Sequence, residues 1–169
     1  MKIAIMSDSH DSWANLEKAI KIANEKGCEV LLFAGDLIAP SGLQILEKFS
    51  GTVNIVFGNN DGEKIRLVRS IDASANLNFF YDIYEETLVG VRIFMNHYPR
   101  FVELAAKSGE FDLCVFGHTH TYHHEQIGKT LLVNPGAIQA SEVSDTKESS
   151  FIIFDCETKK AEKVVLSSY

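Results

Sequence analysis

The chain has no long hydrophobic run. No stretch approaches the roughly 20 apolar residues of a membrane-spanning helix, and the opening run Met1-Lys2-Ile3-Ala4-Ile5-Met6 meets Ser7-Asp8 too early to read as a secretory leader. Cysteine is scarce. Cys28, Cys114 and Cys156 are widely spaced and form no Cys-x-x-Cys, which argues against a disulfide framework and for a reducing compartment. Positive charge is also short, with 16 Lys and Arg against 23 Asp and Glu and a formal net charge of −7. That balance weighs against a nucleic-acid-binding surface, because phosphate backbones are held chiefly by Lys and Arg. Bound divalent cations would offset acidity locally, so anionic substrates stay compatible with it. Internal repeats, low-complexity tracts and interdomain linkers are missing too. The expectation is a cytoplasmic protein with no membrane segment.

What is present is the makeup of one globular domain over residues 1–169, with 46% apolar and 23% charged residues. Ile3 to Met6 reads as a buried strand. Trp13 to Lys26 carries Leu16, Ala19, Ile20 and Ala23 at amphipathic-helix spacing and ends at Gly27. Glu29 to Ala34 and Thr52 to Phe57 read as further buried strands, with a helix over Leu43 to Phe49 between them and another over Glu63 to Ser70 after them. This alternation predicts a parallel α/β sheet.

The second half turns strand-rich, with runs at Phe79–Tyr84, Thr87–Asn96, Leu113–Phe116, Tyr122–Ile127, Thr130–Val133, Phe151–Phe154 and Glu162–Leu166. Turns are expected at Glu85-Glu86, Gly128-Lys129 and Glu157 to Lys160, and one helix over Arg100 to Lys107. Two sheets packed face to face with helices outside would accommodate this. Trp13 and the Phe79-Phe80-Tyr81 cluster are expected in the core or over an edge, and the polar stretch Ser141 to Ser150 is the expected mobile loop.

Chemistry gathers where the apolar runs stop. Asp8-Ser9-His10, Gly35-Asp36, Gly58-Asn59-Asn60-Asp61, His97 and Gly117-His118-Thr119-His120 each close such a run. In open α/β sheets ligands bind outside the carboxyl ends of the strands. Taken singly each piece is ordinary turn or loop chemistry, but five in one chain, all at strand ends, form a set able to ligate two divalent cations with one carboxylate shared between them. That is equipment for phosphate-ester hydrolysis. Asp36 could bridge through its two carboxylate oxygens, Asn59 offers a neutral amide oxygen, and the imidazoles are common transition-metal ligands. The mixed nitrogen and oxygen donors favour manganese, with nickel, iron, zinc, cobalt or magnesium as alternatives, over calcium.

In this order the motifs resemble those of the calcineurin-like metallophosphoesterases, in particular the small archaeal and bacterial phosphodiesterase branch. The likeness runs from Lys2 to about Phe154 and includes Asn134-Pro135-Gly136. It implies a four-layer α/β/β/α sandwich of two mixed sheets flanked by helices. It also implies one metal held by Asp8, His10, Asp36 and His120, and a second held by Asp36, Asn59, His97 and His118. Solvent bridging the two would act as a hydroxide attacking phosphorus in line. Asp36, His97 and Asn60 are the expected catalytic residues, and Asn60, Tyr98 and Arg100 the expected substrate contacts.

Two departures from the family pattern stand out. Many members have His where this chain has Asn60, which donates no proton at neutral pH, and glycine commonly follows the His that is His97 here, where Tyr98, Pro99 and Arg100 stand instead. Asp11 and Asp61 flank expected ligands and read either as partners orienting them or as turn and cap residues. His123 and His124 read as strand or loop residues. The expected activity is hydrolysis of a small phosphodiester. The alternatives are a phosphomonoesterase for a small metabolite, or a non-catalytic scaffold such as the retromer subunit that resembles this family. Homo-oligomerisation is possible, with no particular interface indicated.

Overall fold

A computed structural model describes residues 1–71, 74–139 and 148–168. Its elements are β1 (Lys2–Met6), α1 (Trp13–Glu25), β2 (Val30–Phe33), α2 (Leu43–Leu46), β3 (Thr52–Ile55), α3 (Lys64–Ile71), β4 (Leu77–Phe79), β5 (Tyr84–Leu88), β6 (Val91–Met95), α4 (Pro99–Ser108), β7 (Leu113–Val115), β8 (His123–Ile127), β9 (Thr130–Asn134), β10 (Ser150–Asp155) and β11 (Lys160–Val165). One sheet has the order β11-β10-β1-β2-β3-β4, the other β5-β6-β7-β9-β8, and both mix parallel and antiparallel pairs. Among the described residues no helix is long and apolar enough to cross a membrane.

Alternation along the strands explains the layers. Ile3 and Ile5 of β1, and Val30 and Leu32 of β2, face Ile93, Met95, Leu113 and Val133 of the second sheet. Their neighbours Ala4, Met6, Leu31 and Phe33 pack on the opposite side against Leu16, Ile20 and Leu46 of α1 and α2. A third cluster places Val102 and Ala106 of α4 on Phe111, Cys114 and Leu132. Helices therefore cover the outer face of each sheet, giving the α/β/β/α sandwich that the sequence led us to expect. Strands buried on both faces read as continuous apolar runs, which is why β1, β2 and β3 were legible.

The β4–β6 region departs from the expectation. Phe79–Tyr84 is not one strand: β4 ends at Phe79, and the chain crosses through Tyr81 (φ 53°) into β5 of the other sheet. Glu85-Glu86 is not a turn but lies within β5, an edge strand where exposed charge is tolerated and discourages edge-to-edge association. Arg92 on β6 pairs with Glu85 at 2.9 Å. The turn sits at Val89-Gly90, both with positive φ (48° and 78°), joining the Leu88–Val91 pair. A two-residue loop of this kind matches strand twist, but Val89 disguises it as apolar strand. The helix expected over Leu43 to Phe49 is shorter, with a 3₁₀ turn at Pro40–Gly42 leading into α2. Most of the polar stretch Ser141 to Ser150 lies outside the described residues, and Ser150 opens β10.

Candidate metal centre

Strands β1, β2 and β3 are parallel, as are β6 and β7, so the loops carrying the chemistry leave each sheet at carboxyl ends. Asp8 and His10 follow β1, Asp36 follows β2, Asn59 follows β3, His97 follows β6, and His118 and His120 follow β7. The two sheets bring these loops together. Asp8, Asp36 and His97 form a buried floor, while Asn59, Asn60 and His118 form an exposed rim.

Asp8, His10, Asp36 and His120 each offer a ligand atom, and all four atoms lie within 4.8 Å of one another. The Nε2 atoms of His10 and His120 face each other at 3.1 Å. His120 Nε2 is 3.3 Å and His10 Nε2 3.8 Å from Asp8 Oδ1. His10 Nε2 is also 3.4 Å from Asp36 Oδ2. Asp8 Oδ1 is a fully buried side-chain oxygen without a hydrogen bond, an exceptional state among the described residues. Burying an unpaired carboxylate oxygen is costly, and a cation among these four groups would satisfy it.

A second set adjoins the first through Asp36. His97 Nδ1 lies 2.7 Å from the Ala34 carbonyl, which can only accept, so Nδ1 carries the proton. In neutral His97 the Nε2 lone pair then points at Asn59 Oδ1, 3.0 Å away, and towards Asp36 Oδ2, 3.6 Å away. His118 Nδ1 reaches the same Asn59 oxygen at 2.7 Å. Lone pairs facing lone pairs repel unless a proton or a cation lies between them. The donor set therefore fits a cation here as well, and Asp36 Oδ2 faces both groups.

The electrostatics agree with the geometry. The neighbouring carboxylate of Asp36, and then that of Asp8, raise His10 to about 9. Burial would raise Asp36, but His10 and the Asn60 amides outweigh it and hold the carboxyl at about 2. Burial likewise opposes ionisation of Asp8, yet His10 and His120 keep it below the ordinary carboxylate value. The field that keeps a proton on His10 also favours a metal cation there, with proton release.

The backbone is strained where the ligand loops turn. Asp8, His10, Asp36, His118 and His120 all have positive φ, between 41° and 67°. Such conformations are unfavourable for residues with a Cβ, at about 1 kcal/mol or more each, and cluster at functional sites. The adjoining glycines permit close approach. A Cβ on Gly117 would strike Ser7 Oγ and stand 2.8 Å from Asp8 Oδ2, and one on Gly35 would stand 2.7 Å from His97 Nδ1.

The model of the calcineurin-like phosphoesterase superfamily domain matches residues 1–159. The chain belongs to this superfamily. It is 33% identical over 138 residues to phosphodiesterase MJ0936 of Methanocaldococcus jannaschii, covering 80% of this chain and 83% of that protein. It is 26% identical over 152 residues to phosphodiesterase YfcE of Escherichia coli, covering 82% and 79%. A solved archaeal phosphodiesterase superposes with a TM-score of 0.89 at 30% identity, covering 98% of this chain and 99% of that one. Zinc-bound Vps29 of Entamoeba histolytica shares the fold, with a TM-score of 0.71 at 17% identity over 98% and 99% of the two chains.

Within this calcineurin-like phosphoesterase, other residues singled out from the sequence have distinct places. Asn60 clamps Asp36, its backbone N–H donating to Oδ1 at 2.8 Å and its side-chain amide to Oδ2 at 2.7 Å. Tyr98 borders the second set, its ring 5.3 Å from that of His97 and 5.2 Å from that of His118. Arg100 is exposed in the first turn of α4 and makes no hydrogen bond or ion pair among the described residues. His123 pairs with Glu125 at 3.1 Å on β8, and His124 is exposed on the same strand, so neither joins the cluster. Asp11 accepts from the Ala39 N–H rather than orienting His10.

Two further residues hold the ligand loops, and Asp61 was already singled out beside the expected ligands. Asp61 ties two ligand loops together, accepting the Asp36 and Gly58 N–H groups on Oδ2 (3.1 and 2.7 Å) and the Ile38 N–H on Oδ1 (2.8 Å). Asn134, fully buried, donates to the Gly117 carbonyl at 2.7 Å and Thr119 Oγ1 at 3.1 Å, holding the loop that carries His118 and His120. The Asn-Pro-Gly sequence was the only available signal for the second.

Proposed function

We propose that the protein is a metal-dependent phosphodiesterase working with two divalent cations. Asp8, His10, Asp36 and His120 would hold one, and Asp36, Asn59, His97 and His118 the other, so that Asp36 serves both. The observation that carries this reading is the buried Asp8 Oδ1, which has no hydrogen bond and stands in one cluster with the ligand atoms of His10, Asp36 and His120. Membership of the superfamily and the two relatives named as phosphodiesterases support it. When bound, such cations polarise phosphoryl oxygens and lower the pKa of water towards neutrality.

The chain's own residues supply the geometry. The Ala34 carbonyl fixes the His97 tautomer and ring, and Asn60 fixes the rotation of the Asp36 carboxylate. The buried floor and exposed rim let a phosphoryl group approach from the Asn59–Asn60 side. Asn60 carries no proton to give a departing alkoxide, so esters with good leaving groups are favoured.

Metal-stripped protein titrated with manganese, nickel, magnesium or zinc is expected to hydrolyse bis(p-nitrophenyl) phosphate in proportion to metal added, with little action on p-nitrophenyl phosphate. Preference for the monoester would make the protein a phosphomonoesterase. Folded protein inert with every metal would overturn the enzymatic reading in favour of a scaffold. Asn60→His introduces a general acid, a group typically worth ~10²–10⁴-fold in rate. It is therefore expected to raise kcat/KM on a diester with an alkyl leaving group far more than on bis(p-nitrophenyl) phosphate. Equal changes on both substrates would remove Asn60 from the leaving-group side.

A further inference from the structure

Strand β4 continues the parallel series β1-β2-β3-β4, so the chain leaving it emerges beside the candidate metal centre, one strand beyond the loop bearing Asn59. Neighbouring strands lie ~4.8 Å apart. A cavity of about 470 Å³ opens here between α3 and these strand ends, lined by Phe57, Lys64, Ile65, Val68, Arg69 and Tyr81. Tyr81 is 61% exposed and Ile65 73% exposed, unusual for large apolar side chains at a cavity wall. Tyr81 is nevertheless held in place: its carbonyl accepts the Phe57 N–H, and its ring lies 6.4 Å from that of Phe57.

The charges at this cavity run against the acidity of the chain. Lys64 sits with Nζ 4.8 Å from the Phe57 ring centroid, and Arg69 joins it in the lining. Among the described residues neither pairs with a carboxylate, whereas Arg66 on the same helix bonds Glu63. Asp82 is the one carboxylate in the lining, leaving an excess of positive charge. Its carbonyl accepts from the side-chain amide of Asn96 at 2.7 Å, and Asn96 immediately precedes His97, so this wall and the metal centre share a support.

We infer that the cavity receives the nucleoside arm of a phosphodiester substrate, and that the protein acts on nucleotide-type diesters carrying a further phosphate. The inference rests on the phosphodiesterase reading and names its substrate class. A flat ring can stack on exposed Tyr81 with Ile65 and Val68 at its edge, while the added phosphate lies between Lys64 and Arg69. An alkyl arm would leave the cations unused, and a bare phosphate would leave the aromatic wall unused.

The test compares kcat/KM for thymidine 5′-(p-nitrophenyl phosphate), with and without a 3′-phosphate, against the ring-free methyl p-nitrophenyl phosphate. The wild-type protein should favour the thymidine esters, chiefly through KM. Tyr81→Asn, which tolerates the left-handed backbone, should lower the thymidine-to-methyl ratio roughly tenfold, the scale of one lost base stack, and Tyr81→Trp should restore it. The double change Lys64→Ala and Arg69→Ala should remove the advantage of the 3′-phosphate. Equal ratios in the wild type and Tyr81→Asn, or equal losses in Tyr81→Asn and Tyr81→Trp, would overturn the inference. If neither the thymidine esters nor the methyl ester is hydrolysed, the phosphodiesterase reading fails. The cavity is then judged by titrating thymidine 3′,5′-bisphosphate into the protein, where binding that depends on Tyr81 upholds it and no binding overturns it.

Discussion

Asp36→Ala is expected to leave a folded protein that neither turns over a diester nor retains metal. The loss should exceed the ~10²–10³-fold typical of removing one electrostatic contact in an active site, because Asp36 Oδ2 faces both ligand groups, 3.4 Å from His10 and 3.6 Å from His97. Two observables separate this from simple destabilisation. Metal content after dialysis against a fixed concentration should fall for both cations together, not for one. Added metal should also no longer raise the unfolding temperature. A ligand present at a hundred times its Kd stabilises the native state by about 2.7 kcal/mol, and that increment should vanish in the variant. Near-normal turnover, or loss of only one equivalent of metal, would refute the shared role of Asp36.

The second large effect belongs to Asp61, which need not touch metal or substrate. Asp61→Ala would strip the acceptor from three backbone N–H groups, those of Asp36, Ile38 and Gly58. A buried donor left unpaired costs about 1–3 kcal/mol, so a total destabilisation of about 3–5 kcal/mol is expected once partial rehydration is allowed for. At roughly 2–4 °C per kcal/mol for a chain of this size, the unfolding temperature should drop by about 6–20 °C. Turnover should fall with it, by ~10–100-fold, as when groups that orient metal ligands are removed. Asp61→Asn keeps one acceptor oxygen but turns an amide donor towards backbone donors, so it should recover only part of the stability. An Asp61→Ala protein that melts like the wild type would show that these bonds do not hold the loops.

The contrast between Asp36 and Asp61 marks how far the sequence can be read. Both are acidic residues in short Gly-containing turns, and nothing local separates a residue that faces a cluster of imidazoles from one that faces backbone N–H groups. Asp61 sits three residues beyond Gly58 and bonds it, but its other two partners lie 23 and 25 residues away. Asn134 is similar: its partners, Gly117 and Thr119, belong to a loop reached only once β7 and β9 pair. Long-range acceptance of a backbone hydrogen bond leaves no periodic trace in the chain.

Boundaries failed for a related reason. Leu88-Val89-Gly90-Val91 reads as apolar strand because hydropathy ignores φ, and only the pairing of β5 with β6 forces Val89 and Gly90 into a two-residue turn. Glu85-Glu86 reads as a turn because charge normally marks solvent, yet an edge strand is solvent-exposed too. Tyr81, expected with its neighbours in the core or over an edge, instead stands out at a cavity mouth, since the crossing from one sheet to the other begins there.

What the sequence determined by itself was the apolar runs and the identity of the residues that end them. A short apolar run bounded by turn residues reads as a buried strand, and the residue after it emerges at that strand's carboxyl end, so Asp8, Asp36, Asn59, His97 and His118 could each be placed on a strand tip from local order. Only the tertiary structure decided which tips meet. The loops after β1, β2 and β3 belong to one sheet and those after β6 and β7 to the other, and they converge because Ile3, Ile5 and Leu32 pack against Ile93, Leu113 and Val133 between the sheets. That burial brings two carboxylates and four imidazoles into one cluster, where a cation can satisfy the unpaired Asp8 oxygen.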